Sequence, residues 1–146
     1  MEIADLLPNV EMFEGLTDRQ LKRVANLFEV RTFQQDEFLF IQGDKADHLF
    51  VVMDGFFEVI VRGSKSSQER VIVSYGMGQS IGEISYMDRG SRSASVRAAS
   101  SNATVAVVSF EDFEILCKAH PRIGYRIIWN IAADLSFRLR EQGRHF

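Results

Sequence analysis

The sequence predicts a mainly β fold with flanking α segments: an eight-stranded, jelly-roll-like β-barrel with helices before and after it. Three observations lead there. Leu21, Val24, Ala25 and Phe28, and later Ile127, Ile128, Ile131, Leu135 and Leu139, recur at the three- and four-residue spacing of helices. Between them, from Arg31 to Ser109, short runs rich in Val, Ile and Phe take over, as strands do. Gly43, Gly55, Gly63, Gly76, Gly78 and Gly90 separate those runs at turns. Many short strands with glycine corners suit one sheet folded over another, which protects the edges of both.

Taken in order, residues 1–16 read as a short helical lead punctuated by Pro8, with Phe13 and Leu16 as apolar anchors. Thr17-Asp18-Arg19-Gln20 is a capping box, because the Thr hydroxyl and the Gln side chain each satisfy an orphan backbone donor, so a helix starts there. Strands are expected near 31–34, 38–41, 48–54, 56–62, 70–74, 80–82, 93–98 and 103–109. Ser64 to Gln68 is a polar hairpin tip without assignable chemistry. Phe110 opens a second helical region, which breaks at His120-Pro121 because proline disfavours helix in the residue before it. A longer helix follows to about residue 140, with the apolar stripe of its isoleucines and leucines facing the barrel or a partner. Trp129 reads as a core or seam residue.

At 146 residues and 46% hydrophobic content, one domain is expected: a helical segment 1–30, the barrel 31–109 and C-terminal helices 110–146. With 17 basic and 20 acidic residues the net charge is −3, which offers no electrostatic footprint for nucleic acid or an anionic membrane. The single cysteine, Cys117, excludes an internal disulfide and suits a reducing compartment. The acidic N-terminus and the lack of any run of about 18 apolar residues argue against secretion or membrane insertion, so a cytoplasmic location is expected.

Gly76 to Ala98 carries the chemistry. Ile81-Gly82-Glu83-Ile84-Ser85 turns into a short helix, whose free amides favour an anion. Arg92 can fold back over the same place with a permanent, forked cation. Glu83 is an acceptor, useful beside an anion only if the ligand also brings hydroxyl donors, as a ribose does. Anion cradle plus sugar acceptor points to a nucleotide.

Gly82, Glu83, Ser85, Arg92, Ser93 and Ala94 together resemble the phosphate-binding cassette of the cyclic-nucleotide-binding domains found in the bacterial catabolite activator protein, kinase regulatory subunits and cyclic-nucleotide-gated channels. The turn Gly43 to Asp47, closed by Gly55, resembles the second landmark of that family. The resemblance places the cassette at 81–94 and implies that Gly82 admits the phosphate, Glu83 takes the 2′-hydroxyl, the Ile84 and Ser85 amides hold the phosphate, Arg92 pairs with its charge and Ser93 adds a hydroxyl. Ala94, Val59 and Val73 complete the expected ligand-binding set. The last helix is expected to cap the base with Asp134, Arg138 and Leu139, Arg138 stacking on the purine, or to form a homodimer seam. Asp36 departs from the family at a turn glycine. Tyr86 departs from it where an aliphatic residue is usual, and its ring either crowds the phosphate helix or presents a hydroxyl.

Competing chemistry is weaker. A metal site on a small barrel needs converging ligands, and His48, His120 and His145 share no ligand spacing. Cys117 with His120 has no oxyanion feature nearby. Hydrolysis of a cyclic phosphate needs a metal or a general base that the cassette does not supply beyond Glu83. The expectation is therefore no catalysis, no cofactor, and a sensor whose ligand is cyclic AMP in preference to cyclic GMP, the preference resting on Ser93 where the family tends to place threonine for guanine. The alternative is a protein-interaction module with Glu83 and Arg92 reduced to a structural pair. No output domain fits within the 146 residues, so the chain is read as a stand-alone sensor that docks on an unknown effector protein, or as a fragment.

Overall fold

The computed structural model describes residues 1–62 and 68–143; Ser64 to Ser67 of the expected hairpin tip, and His145, lie outside them. Helix α1 (Ile3–Leu6) and two single 3₁₀ turns lead into α2 (Asp18–Ala25). The Thr17 cap forms as expected: its hydroxyl accepts from the Gln20 amide at 3.2 Å, and the Gln20 side chain accepts from the Thr17 amide at 2.9 Å. Eight strands follow among the described residues: β1 (Glu29–Phe33), β2 (Phe38–Phe40), β3 (His48–Asp54), β4 (Phe57–Arg62), β5 (Glu69–Tyr75), β6 (Ser80–Ile81), β7 (Ser95–Ala98) and β8 (Ala103–Ser109). Helix α3 (Glu83–Asp88) interrupts them after β6, and α4 (Phe110–Ala119) and α5 (Pro121–Glu141) close the chain. Pro121 occupies the first turn of α5, where its missing donor costs nothing.

The strands form two antiparallel sheets, ordered β1-β8-β3-β6 and β2-β7-β4-β5, in the expected jelly-roll arrangement. The central residues of β3 (Leu49 to Met53) and β8 (Val105 to Val108) are apolar because both of their faces are covered. Leu49, Val51 and Met53 pack outward on the helices with Ala106 and Val108, while Phe50, Val52, Val105 and Val107 fill the barrel with Phe57, Ile81 and Val96. The outer core takes Phe13, Leu21, Val24, Phe113, Ile123, Ile127 and Ile131 from the helices. Asp36 holds φ +72°, a left-handed backbone that aspartate tolerates better than most residues, so the departure from glycine leaves the turn intact.

Two alternatives left open on α5 are narrowed. Its apolar stripe is buried at Ile127 and Ile131, and Leu139 near its end is exposed. Trp129 is no core residue: it is 56% exposed, with its ring 6.1 Å from that of Tyr125.

Candidate nucleotide-binding site

Strand β6 stops at Ile81 because the next residue turns left-handed. Gly82 holds φ +99°, and a β-carbon there would meet Arg92 Nη1 at 2.8 Å and the His48 carbonyl at 3.1 Å. Only glycine fits both the backbone and the space. Gly82 is also the cap of α3 and offers no side-chain acceptor, so the first amides of the helix, Ile84 and Ser85 among them, lack an intrahelical partner.

Arg92 approaches from the opposite end of the loop. β7 begins at Ser95 rather than at residue 93, which leaves Arg92, Ser93 and Ala94 free to line the cleft. The Arg92 amide donates to the Asp44 carbonyl at 2.9 Å and its carbonyl accepts from Gly43 at 2.8 Å, so the Gly43–Asp47 turn clamps the backbone of the arginine. Its side chain is 4% exposed. Nη2 donates to the His48 carbonyl at 2.7 Å, whereas Nε and Nη1 are buried without a partner. Burial pulls the guanidinium below its ordinary value, opposed by Asp47 and Asp44, yet an arginine starts so high that it keeps its charge.

Glu83 is likewise buried, at 7% exposure, and its Oε2 has no partner. Burial pushes its carboxyl up from the ordinary value. Its own backbone amide, the Arg138 charge and the Ser80 hydroxyl pull it back, and Asp134 adds a little to the rise. The unpartnered atoms of Glu83 and Arg92 show that the two are not spent on each other.

Both line one cleft together with Gly82, Ile84, Ser85, Ser93, Ala94 and Val59. Eight of the ten expected ligand-binding residues therefore converge. Val73 pairs directly with Val59 across β4 and β5, which puts its side chain on the cleft's face of the sheet, but at 40% exposure it stands at the rim rather than in the lining. Arg138 is not in the cleft either. It is bonded to Asp134 at 2.9 Å in a neighbouring cavity, lined also by Tyr75 and Glu83, which are shared with the cleft. Phe40, Tyr75, Ile81 and Val96 line the cleft and were missed. Each is an apolar or aromatic residue within a strand, a signal too common to single them out.

Tyr86 leaves the cleft open. Its ring turns into the helical core at 6% exposure, 5.2 Å from Phe110 and 5.1 Å from Phe113, with the Arg89 guanidinium 5.0 Å from its other side. Among the described residues no three potential metal ligands converge, and His48 and His120 are engaged with Asp47 and Arg23. Burial pushes the Cys117 thiol up to about 11, helped by Glu114, which holds it as the poorly nucleophilic thiol. Among the described residues no helix is long and apolar enough to cross a membrane.

Residues 30–120 match the cyclic nucleotide-binding domain family, and the chain belongs to it. It is 32% identical over 130 residues to the cyclic AMP receptor protein of Thermus thermophilus, a match covering 89% of this chain and 57% of that one. A cGMP-dependent protein kinase of Eimeria tenella is 30% identical over 103 residues, 70% of this chain but 10% of the kinase. The chain thus spans little more than half of the first relative and a small part of the second. Among solved structures, the Thermus thermophilus catabolite activator protein superposes with a TM-score of 0.80 at 30% identity, over 91% of this chain and 60% of that one. A cyclic nucleotide-binding domain from Methylobacillus flagellatus reaches 0.81 at 26% identity, over 96% and 78%.

Proposed function

We propose that the chain binds a cyclic purine nucleotide in this cleft and acts as a regulatory sensor. The carrying observation is the buried guanidinium of Arg92, whose unpartnered Nη1 lies over Gly82 at the uncapped start of α3. An anion seated there satisfies the arginine and the helix amides together. The phosphate takes that end with Ser85 and Ser93 beside it, and a ribose hydroxyl donates to Glu83, whose free Oε2 supplies the acceptor. Val59, Ala94 and the rim at Val73 receive the apolar parts of the ligand. Cyclic AMP is preferred to cyclic GMP, a preference that rests on Ser93 standing where the family tends to place threonine for guanine.

Ligand acts only through its different affinity for two arrangements of the chain, and α5 is the element that moves, with Arg138 exchanging Asp134 for the base. The group nearest the phosphate, Arg92, is a cation that keeps its proton and so cannot act as a general base, and Glu83 is taken by the sugar, so the site binds and does not hydrolyse. The exposed Tyr125, Trp129, Phe137 and Leu139 of α5 offer a seam for a second copy. The effector is a further protein in the cytoplasm.

Calorimetric titration of nucleotide-free protein with cyclic AMP and with cyclic GMP tests this. Saturable heat from either supports the reading, stronger for cyclic AMP. No heat from both would leave the barrel as a protein-interaction module, although the unmade Glu83–Arg92 pair speaks against that role.

A further inference from the structure

Arg92 is ringed by aromatic side chains. Its Cζ lies 4.0 Å from the centre of the Phe40 ring and 5.8 Å from the centres of Phe50 and Phe110. Phe40 is near enough for the guanidinium plane to stack on the ring, an attraction that strengthens where water is excluded. Phe50 backs Phe40 at 5.9 Å, so the near ring is itself held in place. The two attachments of the guanidinium differ in kind: the His48 carbonyl takes one nitrogen by an in-plane hydrogen bond at 2.7 Å, and the Phe40 ring takes a face. Together they remove the rotational freedom of a long side chain before any ligand arrives, and freedom lost beforehand does not count against binding.

We propose that Phe40 is a positioning residue for the anion end of the cleft: its ring, with the His48 carbonyl, fixes the guanidinium over Gly82 and leaves Nε and Nη1 for the ligand. The ligand in this statement rests on the nucleotide reading; the placement of Arg92 does not. An aliphatic residue at 40 fills the space without offering a π face, so Phe40→Leu and Phe40→Tyr separate stacking from simple packing.

Both variants are titrated with cyclic AMP beside the parent. The nitrogen-correlated proton resonance of the Arg92 Nε–H, assigned by its disappearance in Arg92→Lys, is followed in the ligand-free proteins, and thermal melting checks that each variant folds. Phe40→Leu is expected to weaken binding about tenfold and Phe40→Tyr by less than about twofold. The Arg92 resonance is expected to lose its ring-current shift in the leucine variant and keep it in the tyrosine variant. A leucine variant that binds like the parent, a tyrosine variant as weak as the leucine one, or an unmoved resonance would overturn the inference. If the parent binds neither nucleotide the nucleotide reading fails, and the resonance alone still decides whether Phe40 holds Arg92.

Discussion

Replacing Arg92 by methionine should move binding and stability in opposite directions. In the ligand-free protein the guanidinium is 4% exposed, with two of its three nitrogens unpartnered, so the cost of removing the charge from water is already borne by the fold. Methionine has a similar length, stays apolar and forfeits one hydrogen bond, that to the His48 carbonyl. Exchanging an under-satisfied buried charge for an apolar side chain is often neutral or favourable, so ligand-free stability should stay within about 1 kcal/mol of the parent or exceed it. Binding of an anion, by contrast, loses the partner of a buried pair, a loss of about 3–5 kcal/mol. That corresponds to roughly two to three and a half orders of magnitude in affinity. Urea denaturation without ligand gives the first quantity and calorimetry with cyclic AMP the second. A variant destabilised by several kcal/mol would show that Arg92 is a structural cation, and unchanged affinity would remove it from the site; either result refutes the reasoning.

Gly82→Ala places a β-carbon 2.8 Å from Arg92 Nη1 at a positive φ; stability should fall by about 1–2 kcal/mol in urea, and affinity for cyclic AMP should drop as the guanidinium is displaced. Glu83→Ala should cost roughly 1.5–3 kcal/mol of binding by calorimetry, the scale of hydrogen bonds to a charged acceptor. The Glu83 carboxyl is raised from its ordinary 4.5, chiefly by burial, so above that pH the unfolded chain releases its proton first and stability declines until the folded group ionises too. Urea unfolding from pH 4.5 upward should therefore show the parent losing ground to Glu83→Gln, and a constant difference would mean that the carboxyl is not raised. Trp129→Glu should convert a dimer to a monomer in sedimentation; a parent that is monomeric at high concentration discards the seam on α5.

Features that depend on neighbouring residues were legible in the sequence. The Thr17–Gln20 box, the break at His120-Pro121 and the eight strand positions each reflect chemistry confined to a few residues, and the structure reproduces them with shifts of at most two residues at their ends. The cassette was legible because Gly82, Glu83 and Arg92 lie close in the chain. Phe40 was not, because it reaches Arg92 only through the pairing of β2 with β7. Tyr75 joins the cleft through β4 and β5, with Phe57 as its cross-strand partner. The helical period put Asp134 and Arg138 on one face, as their ion pair requires, but said nothing about which cavity that face overlooks. For the same reason it could not reveal that Trp129 has no cover.

Strand β3 begins with His48, the residue whose carbonyl steadies Arg92, and continues into side chains wedged between two separate cores. A slip of one position would exchange those two sets of side chains, so the strand is pinned from both directions. The cation's aim is consequently referred to a strand gripped on both faces, not to a helix end that frays. On warming, amide exchange should reach the tips of α5 well before it disturbs the hold on Arg92, so the receptor end stays ready while the reporting end is already loose.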